Sequence, residues 1–185
     1  MSKIILGLVG QIASGKGEVK KYLIETYGAS DHRFSDIMRD ILKRLSLETT
    51  RENVQDASSM LRQTFGEDIL AKVMTADAVK DSHELVVIDG VRRLADIRYL
   101  NELPGFYLIS LNTDQKTRFA RVQSRQENAG DANKTYEAFL AEEAHEAEQE
   151  IPTVMATAKY QVDNNGTLAD LQQKIDAIIE EIEKK

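Results

Sequence analysis

The feature that most constrains this chain is a stretch near its N-terminus in which an apolar run leads into a glycine-rich turn. Residues 4–9 read IILGLV, the pattern of a strand buried on both faces, and residues 10–17 read GQIASGKG. The spacing Gly-x-x-x-x-Gly-Lys is that of a phosphate-binding loop. Its glycines let the backbone approach a polyphosphate, so that successive amides and the N-terminus of the next helix point at the ligand.

We therefore expect this loop to hold phosphates, with Lys16 supplying a charge for the β and γ oxygens. Such a loop usually continues with Ser or Thr as a Mg²⁺ ligand, whereas this chain continues with Glu18. Glu18 could hold Mg²⁺ directly or through water, or it could turn outward as a carboxylate that favours a helix N-terminus. The candidate phosphate contacts are Gly10, Gln11, Ile12, Ala13, Ser14, Gly15, Lys16, Gly17 and Glu18.

Composition limits the partners that the site can have. The chain has 185 residues, enough for one substantial core, and a formal charge of −7 from 31 acidic and 24 basic residues. That charge argues against a nucleic-acid or membrane binder, so an anionic ligand must be held by a local basic cluster. Without cysteine there are no disulfides or thiolate zinc sites, and no apolar run is long enough to be a membrane span. We expect a cytoplasmic protein.

Alternating strand and helix signals predict an α/β fold around a five-stranded parallel sheet. The expected strands are at 4–9, 29–34, 85–88, 106–111 and 159–162. Two segments have helical patterns without a strong strand, and we interpret them as insertions over the carboxyl edge of the sheet: about 35–82 on the acceptor side and about 126–150 as a lid. The core of the single domain then comprises residues 1–34, 83–125 and 151–185.

A carboxylate follows the buried strand at 85–88. Asp89 would stand at the carboxyl end of a parallel strand, where open α/β sheets bind ligands. We expect it to hold Mg²⁺ through water or to orient the acceptor; the alternative is that it caps the next helix. Apolar residues at 94, 97 and 100 predict that helix, with Pro104 and Gly105 ending it.

The first inserted helix offers a basic side chain. Ser35 is the predicted N-cap, and Ile37, Ile41 and Leu45 form its apolar stripe. Arg39 falls on the opposite face, where it could meet a ligand or simply be solvated. Arg62, on the next inserted helix, is a further candidate for substrate contact.

Several segments resemble adenylate kinases. The loop at 10–17 is similar to theirs, which also has glycine after the lysine. Residues 35–39, SDIMR, resemble their Gly-Asp-x-x-Arg, whose arginine grips the acceptor phosphate; Asp36 and Arg39 hold the matching positions. Residues 89–93, DGVRR, resemble their Asp-Gly-x-x-Arg, so that Arg93, or Arg92 one position earlier, would be the second phosphate clamp.

The resemblance extends towards the C-terminus. Arg121 and Arg125, which share a helix face with Arg118, resemble the arginines that lead into the mobile lid. Residues 165–168, NGTL, are similar to adenylate-kinase-related nucleotide kinases and relatives of dephospho-CoA kinase, which implies that Asn165 lies near the nucleotide. The lid helix differs, because residues 136–149 contain no arginine.

The resemblance implies the three-layer α/β/α fold of P-loop NTPases with helical lid insertions. We expect an ATP- and Mg²⁺-dependent kinase for a nucleoside or deoxynucleoside monophosphate, with Lys16, Asp89, Arg121 and Arg125 as its catalytic residues. The alternatives are a dephospho-CoA kinase-like enzyme with a hydroxyl acceptor and a non-catalytic ATP-binding switch. The expected partner is a small nucleotide, and both a monomer and a homodimer stay open.

Overall fold

The computed structural model describes residues 3–125, 133–144 and 146–184 and contains a five-stranded sheet in which every strand pair is parallel. The strands are β1 (Ile4–Val9), β2 (Ser30–Arg33), β3 (Leu85–Asp89), β4 (Phe106–Asn112) and β5 (Tyr160–Asp163). Their order across the sheet is β2-β3-β1-β4-β5, which puts β1 at the centre. The predicted fold class is confirmed.

Helices cover both faces of the sheet. The helices are α1 (Lys16–Tyr27), α2 (Phe34–Arg44), α3 (Arg51–Phe65), α4 (Ile69–Lys80), α5 (Gln115–Arg125), α6 (Tyr136–Glu143), α7 (Glu146–Gln149), α8 (Ile151–Ala156) and α9 (Leu168–Glu183). Two short 3₁₀ helices, Leu94–Ile97 and Leu100–Glu102, precede β4. Within the described ranges, no helix is long and apolar enough to cross a membrane.

The alternation of β1 explains the two layers. Ile5 and Val9 belong to the core that β1 shares with α2, α4 and α8, whereas Leu6 and Leu8 belong to the core shared with α1 and α9. Successive side chains of a strand point to opposite faces, so an apolar run such as IILGLV requires a cover on each side. This sandwich holds the carboxyl end of β1, and therefore the loop that follows it, in a fixed place.

The far end of α1 is bound to α9. The hydroxyl groups of Tyr22 and Tyr27 both donate to Asp176 Oδ1, at 2.7 and 2.6 Å. Burial and the hydrogen bond to Asp176 raise the pKa of Tyr27 well above its usual range, so both phenols stay protonated as donors at neutral pH.

Three local predictions were wrong. Helix α2 begins at Phe34 with Arg33 as N-cap, so Ser35 does not cap it. The segment after Asp89 forms 3₁₀ turns rather than a regular helix, because the Asp96 carboxylate accepts hydrogen bonds from two preceding backbone amides and tightens the chain. The acidic stretch 136–149 is divided into α6 and α7. The predicted lid residues 126–132 lie outside the described residues.

Candidate functional site

The loop between β1 and α1 has the geometry of a phosphate cradle. Gly15 has φ +103° and Ala13 has φ 58°, so the backbone curls through the left-handed region twice. A Cβ at Gly10 would collide with Ser14 Oγ, and one at Gly15 would collide with Asn164 Nδ2. Gly15 is also the N-cap of α1 and has no side chain to satisfy the first amides of the helix. Those amides are therefore suited to an anion.

Two polar side chains of the loop fit the same role. Ser14 is 1% exposed, and its Oγ has no hydrogen-bond partner within the described part of the chain. Lys16 Nζ lies over the loop and donates to the carbonyls of Gly10 and Gln11, the latter at 3.1 Å. Hydrogen bonds from an ammonium to phosphate oxygens are stronger than those to neutral carbonyls, so Lys16 can exchange these two carbonyls for phosphate.

Asn164, which was not predicted as a site residue, supports the backbone of the phosphate loop. Asn164 is 4% exposed, and its Nδ2 donates to Ser14 O at 2.8 Å. Asn165, the predicted nucleotide contact, is exposed instead, and its Oδ1 accepts from the amide of Asp114 at 2.9 Å. The Asn-Asn-Gly turn at residues 164–166 was the available signal. Its first asparagine, Asn164, is the one that contacts the loop.

The first arginine of α5 is a structural residue. Arg118 is 2% exposed, donates from Nη1 to Ile12 O at 3.3 Å and from Nε to Thr113 O at 3.0 Å, and pairs with Glu143 of α6. It therefore joins the phosphate loop to the segment that we predicted to be the lid. The lid helix α6, which lacks arginine, contributes the carboxylate of this pair.

The second arginine of α5 is directed at the same region. Arg121 Nη2 donates to Asn164 O at 2.9 Å, whereas its Nη1 is buried without a hydrogen-bond partner among the described residues. A buried guanidinium nitrogen without an acceptor fits a ligand oxygen. The side chain of Arg125, the third predicted arginine, lies outside the described residues.

Asp89 stands at the carboxyl end of β3, the neighbour of β1. Its Oδ1 accepts from the Gly90 amide at 2.7 Å, and its Oδ2 lies 3.5 Å from Lys20 Nζ. The first 3₁₀ helix is capped by Arg93 and Asp96, so capping is not the role of Asp89.

A second carboxylate lies beside it. Lys20 Nζ is 3.1 Å from Asp31 Oδ2, and Arg33 Nε approaches the Oδ2 atoms of Asp31 and Asp89 at 3.6 and 3.8 Å. Burial and the charge of Asp89 raise the pKa of Asp31 to about 6. This cluster was not predicted; the available signal was Lys20, which follows Lys16 by one helical turn. Glu18 is exposed at the start of α1, apart from these contacts.

The acceptor-side arginine of α2 is accessible. Arg39 Nη1 donates to Ser35 Oγ at 2.9 Å and to Asp36 Oδ1 at 3.4 Å, and its side chain is 40% exposed. Arg39 thus lies on the helix face opposite the apolar stripe, and its partners are weak and belong to its own helix. A residue with such partners can exchange them for a ligand.

Arg62 is committed elsewhere. Its Nη2 donates to Asp96 Oδ1 at 2.6 Å, and both residues are buried, with 7% and 2% exposure. Asp96 Oδ2 in turn accepts from the amides of Arg92 and Arg93 at 3.0 Å. The structure therefore does not offer Arg62 as a substrate contact; Arg62 supports the segment that carries the two predicted clamps.

Arg92 and Arg93 themselves reach outward. Arg92 Nε lies 3.3 Å from Glu148 Oε1 of α7, and Arg93 Nη1 donates to Glu67 Oε2 at 2.8 Å. Each guanidinium is thus paired with a carboxylate that water can reach. The structure places the two clamps on one short segment, and both now hold protein carboxylates where an acceptor phosphate is expected.

Comparisons with known proteins agree with this geometry. A protein of Methanoregula boonei, named UPF0200 protein, is 31% identical over 185 residues, which is 98% of each chain. Shikimate kinase from Bacteroides thetaiotaomicron has the same fold, with a TM-score of 0.63 at 13% identity over 96% of this chain and 98% of that chain. Dephospho-CoA kinase from Campylobacter jejuni has a TM-score of 0.58 at 18% identity over 97% of each chain.

The two structural neighbours show the fold alone, since they share few residues with this chain. The predicted relationship to P-loop kinases is confirmed at that level. The sequence shows the family. The protein-family model for the AAA domain matches residues 9–139, which include the phosphate loop, Asp89 and α5. The chain therefore belongs to this AAA domain family and to the UPF0200 proteins, and it has the fold of P-loop kinases.

Proposed function

We propose that the protein is an ATP- and Mg²⁺-dependent phosphotransferase that moves the γ-phosphoryl group of ATP to a nucleoside or deoxynucleoside monophosphate. The observation that carries the proposal is the phosphate loop, with two glycines whose Cβ positions are already filled and a lysine folded over the loop carbonyls. The amides at the start of α1 are fixed donors for phosphate oxygens. The shared fold with two proteins named as kinases supports the same reaction class.

Lys16 and Arg121 supply charge in this reaction. Lys16 leaves the carbonyls of its own loop for the β and γ oxygens, and Arg121 donates to the nucleotide from Nη1, which has no hydrogen-bond partner among the described residues. Their interactions strengthen as negative charge moves from the γ-phosphoryl group towards the leaving diphosphate, and only interactions that strengthen in the transition state raise the rate. The acceptor oxygen forms the new bond to phosphorus while the bond to the β–γ bridging oxygen breaks and ADP leaves.

Asp89 is the residue that would hold Mg²⁺, through water. Among the described residues no three His, Cys, Asp or Glu side chains form a metal cluster. The Asp89 carboxylate at the strand end fits an ion that keeps most of its waters and takes phosphate oxygens as ligands. When bound, Mg²⁺ neutralises charge on the β and γ oxygens. Glu18, exposed at the start of α1, is the second candidate for the same ion.

The acceptor side supports a phosphorylated substrate. Three arginines there hold carboxylates that are accessible to water; the pairs are Arg39–Asp36, Arg92–Glu148 and Arg93–Glu67. A phosphate dianion carries more charge than a carboxylate and accepts bidentate hydrogen bonds from guanidinium groups. An arriving monophosphate therefore replaces these carboxylates, and we infer that Arg39 with Arg92 or Arg93 binds it.

A hydroxyl acceptor, as in a dephospho-CoA kinase-like enzyme, is the second candidate function. It is favoured by Asp31, a partly buried carboxylate whose pKa is raised to about 6 by burial and by Asp89. A carboxylate with a raised pKa is a better base for a hydroxyl proton. The number of accessible arginines ranks the monophosphate first.

The test is an acceptor panel. The purified protein is incubated with ATP, Mg²⁺ and, separately, each nucleoside and deoxynucleoside monophosphate and dephospho-CoA, and ADP formation is followed. Lys16→Ala is the inactive control, with an expected loss of about 10²–10³-fold because a transition-state charge is removed. Lys21→Ala is its matched control, because Lys21 is exposed on the same helix and pairs only loosely with Glu25, at 4.0 Å.

We expect one monophosphate, or a small group with a common base, to stimulate ADP formation in the wild-type protein and in Lys21→Ala. Stimulation by dephospho-CoA alone would reverse the order of the two candidate acceptors. ATP binding without acceptor-dependent turnover would overturn the kinase assignment and favour a nucleotide-responsive switch.

A further inference from the structure

Lys20 forms an unusual contact at the place where the metal is expected. It is a lysine with a side chain only 8% exposed, and its Nζ lies between Asp31 Oδ2 at 3.1 Å and Asp89 Oδ2 at 3.5 Å. A lysine is seldom buried unless it is paired. Here one ammonium is shared by two carboxylates from neighbouring strands, Asp31 within β2 and Asp89 at the carboxyl end of β3.

Arg33 adds a second cation to the same two oxygen atoms. Its Nε lies 3.6 Å from Asp31 Oδ2 and 3.8 Å from Asp89 Oδ2, with a side chain that is 46% exposed. The cluster thus contains two carboxylates and two cations, so its charges cancel. The Lys20 ammonium is the more buried of the two cations, and its interactions are therefore the less screened by water.

A pair of neighbouring carboxylates without cations would attract a divalent ion directly. Carboxylates are the protein ligands that Mg²⁺ prefers, and opposite charges in a partly buried place attract strongly. In this protein the ammonium already contacts both Oδ2 atoms, at 3.1 and 3.5 Å. A metal that arrives alone therefore finds a neutral cluster, whereas a metal that arrives with a triphosphate brings its own anionic ligands.

We propose that Lys20 is a specificity-determining residue that prevents Asp31 and Asp89 from binding a divalent metal in the absence of nucleotide. Asp89 would then hold the ion, through water, only when the ion arrives together with ATP. This inference rests on the proposed function for its purpose, although the exclusion of free metal is a property of the apo protein. Helix geometry brings Lys20 to this cluster, because Lys20 lies one turn after Lys16 on the same face of α1.

The test uses Mn²⁺ alone as the probe, titrated into nucleotide-free protein and followed by the electron paramagnetic resonance signal of free Mn²⁺. The titration is done at pH 8, two units above the pKa of Asp31. Lys20→Met keeps the apolar stem of the side chain and removes its charge. We expect it to bind one Mn²⁺ at least tenfold more tightly than the wild-type protein does. Adding Asp89→Asn to this variant should abolish the gain, which assigns the new binding to the cluster.

Three controls separate this effect from a general one. Lys21→Met removes the same charge from the exposed neighbour and should leave Mn²⁺ binding unchanged. Lys20→Arg keeps the positive charge and should bind Mn²⁺ as weakly as the wild-type protein does. Arg33→Gln, an exposed position expected to fold normally, should give a smaller gain of Mn²⁺ affinity and keeps the test open if Lys20→Met does not fold.

The inference is overturned if neither Lys20→Met nor Arg33→Gln binds Mn²⁺ more tightly than the wild-type protein, or if Lys21→Met gains as much as Lys20→Met. A wild-type protein that binds Mn²⁺ tightly without nucleotide would overturn it as well. Failure of the kinase assignment shows in the acceptor panel and leaves this titration unaffected, so the two outcomes are distinguishable.

Discussion

The donor side and the acceptor side of the candidate site are held in different ways. On the donor side, buried side chains bind the backbone of the phosphate loop: Asn164 donates to Ser14 O and Arg118 donates to Ile12 O. On the acceptor side, the arginines bind carboxylates, and most of those pairs are accessible to water. The proposed donor side is thus organised before a ligand arrives, whereas the arginines of the proposed acceptor side are paired with carboxylates that water can reach.

One buried pair lies beneath the acceptor side and is an exception to this contrast. Arg62 and Asp96 are both buried, and Asp96 also fixes the backbone of the two predicted clamps. The acceptor side therefore has a rigid base under exchangeable side chains. Four substitutions test the two halves of the comparison.

Asp96→Ala should have the largest effect, since it removes the buried carboxylate that pairs closely with the buried Arg62 guanidinium and leaves only the exposed Glu67 carboxylate, at 3.9 Å, to balance that charge. We expect the free energy of unfolding to fall by about 3–5 kcal/mol, measured by urea denaturation followed by circular dichroism. Glu67→Gln is the control, because it removes an exposed partner of Arg62 and Arg93 and should cost less than about 1 kcal/mol. Equal effects of the two substitutions would show that the acceptor side has no rigid base.

Asn164→Ala tests the organisation of the donor side. It removes the donor to Ser14 O, which should lower the free energy of unfolding by about 1–3 kcal/mol. Because the loop loses its support, ATP affinity measured by calorimetry should weaken roughly tenfold, or about 1.4 kcal/mol. Asn165→Ala, at the exposed neighbour, should change the affinity much less. The opposite ranking would restore Asn165 as the nucleotide contact.

Arg39→Ala tests the exchangeable groups. The acceptor KM should rise about tenfold, with the KM for ATP nearly unchanged, because only the acceptor phosphate loses a partner. Lys43→Ala, one turn further along α2 and paired with exposed Asp40, is the matched control and should change neither constant. A rise in both constants would place Arg39 outside an acceptor-specific site.

Glu148→Gln should have the smallest effect and the opposite sign. It releases Arg92 from a carboxylate that competes with the acceptor phosphate, so the acceptor KM should fall about twofold to threefold, roughly 0.5 kcal/mol. Glu137→Gln, on the exposed face of α6, should leave the acceptor KM unchanged. If Glu148→Gln raised the acceptor KM, Glu148 would position Arg92 instead of competing for it.

The sheet was predictable because its signals are local. Apolar runs such as IILGLV and LVVI can be buried on two faces only by a sheet with helices on both sides, and the glycines at 10 and 15 follow from the turn that joins strand and helix. The strand predicted at 29–34 forms as β2 despite its polar sequence SDHR, because an edge strand needs less apolar character.

The side-chain pairs of the site were not predictable in the same way. Lys20 meets Asp89 across 69 residues of chain, and Arg62 meets Asp96 across 34. A spacing pattern reports which residues share a face of one element, but these pairs join different elements, whose approach is decided by packing. The assignment of Arg62 to the substrate failed for this reason, and Asn164 was missed because a buried asparagine and an exposed one have the same sequence signal.

The two tyrosines on Asp176 have a consequence for how such a protein can change over time. They fix α1 to α9 at the end remote from the loop, so the tilt of α1 is held by contacts far from the predicted acceptor residues. Substitutions at those residues therefore leave the tilt of α1 unchanged. In the proposed kinase, new acceptor preferences can then arise by altering arginines and their carboxylates, one at a time, while the direction of the α1 axis stays unchanged.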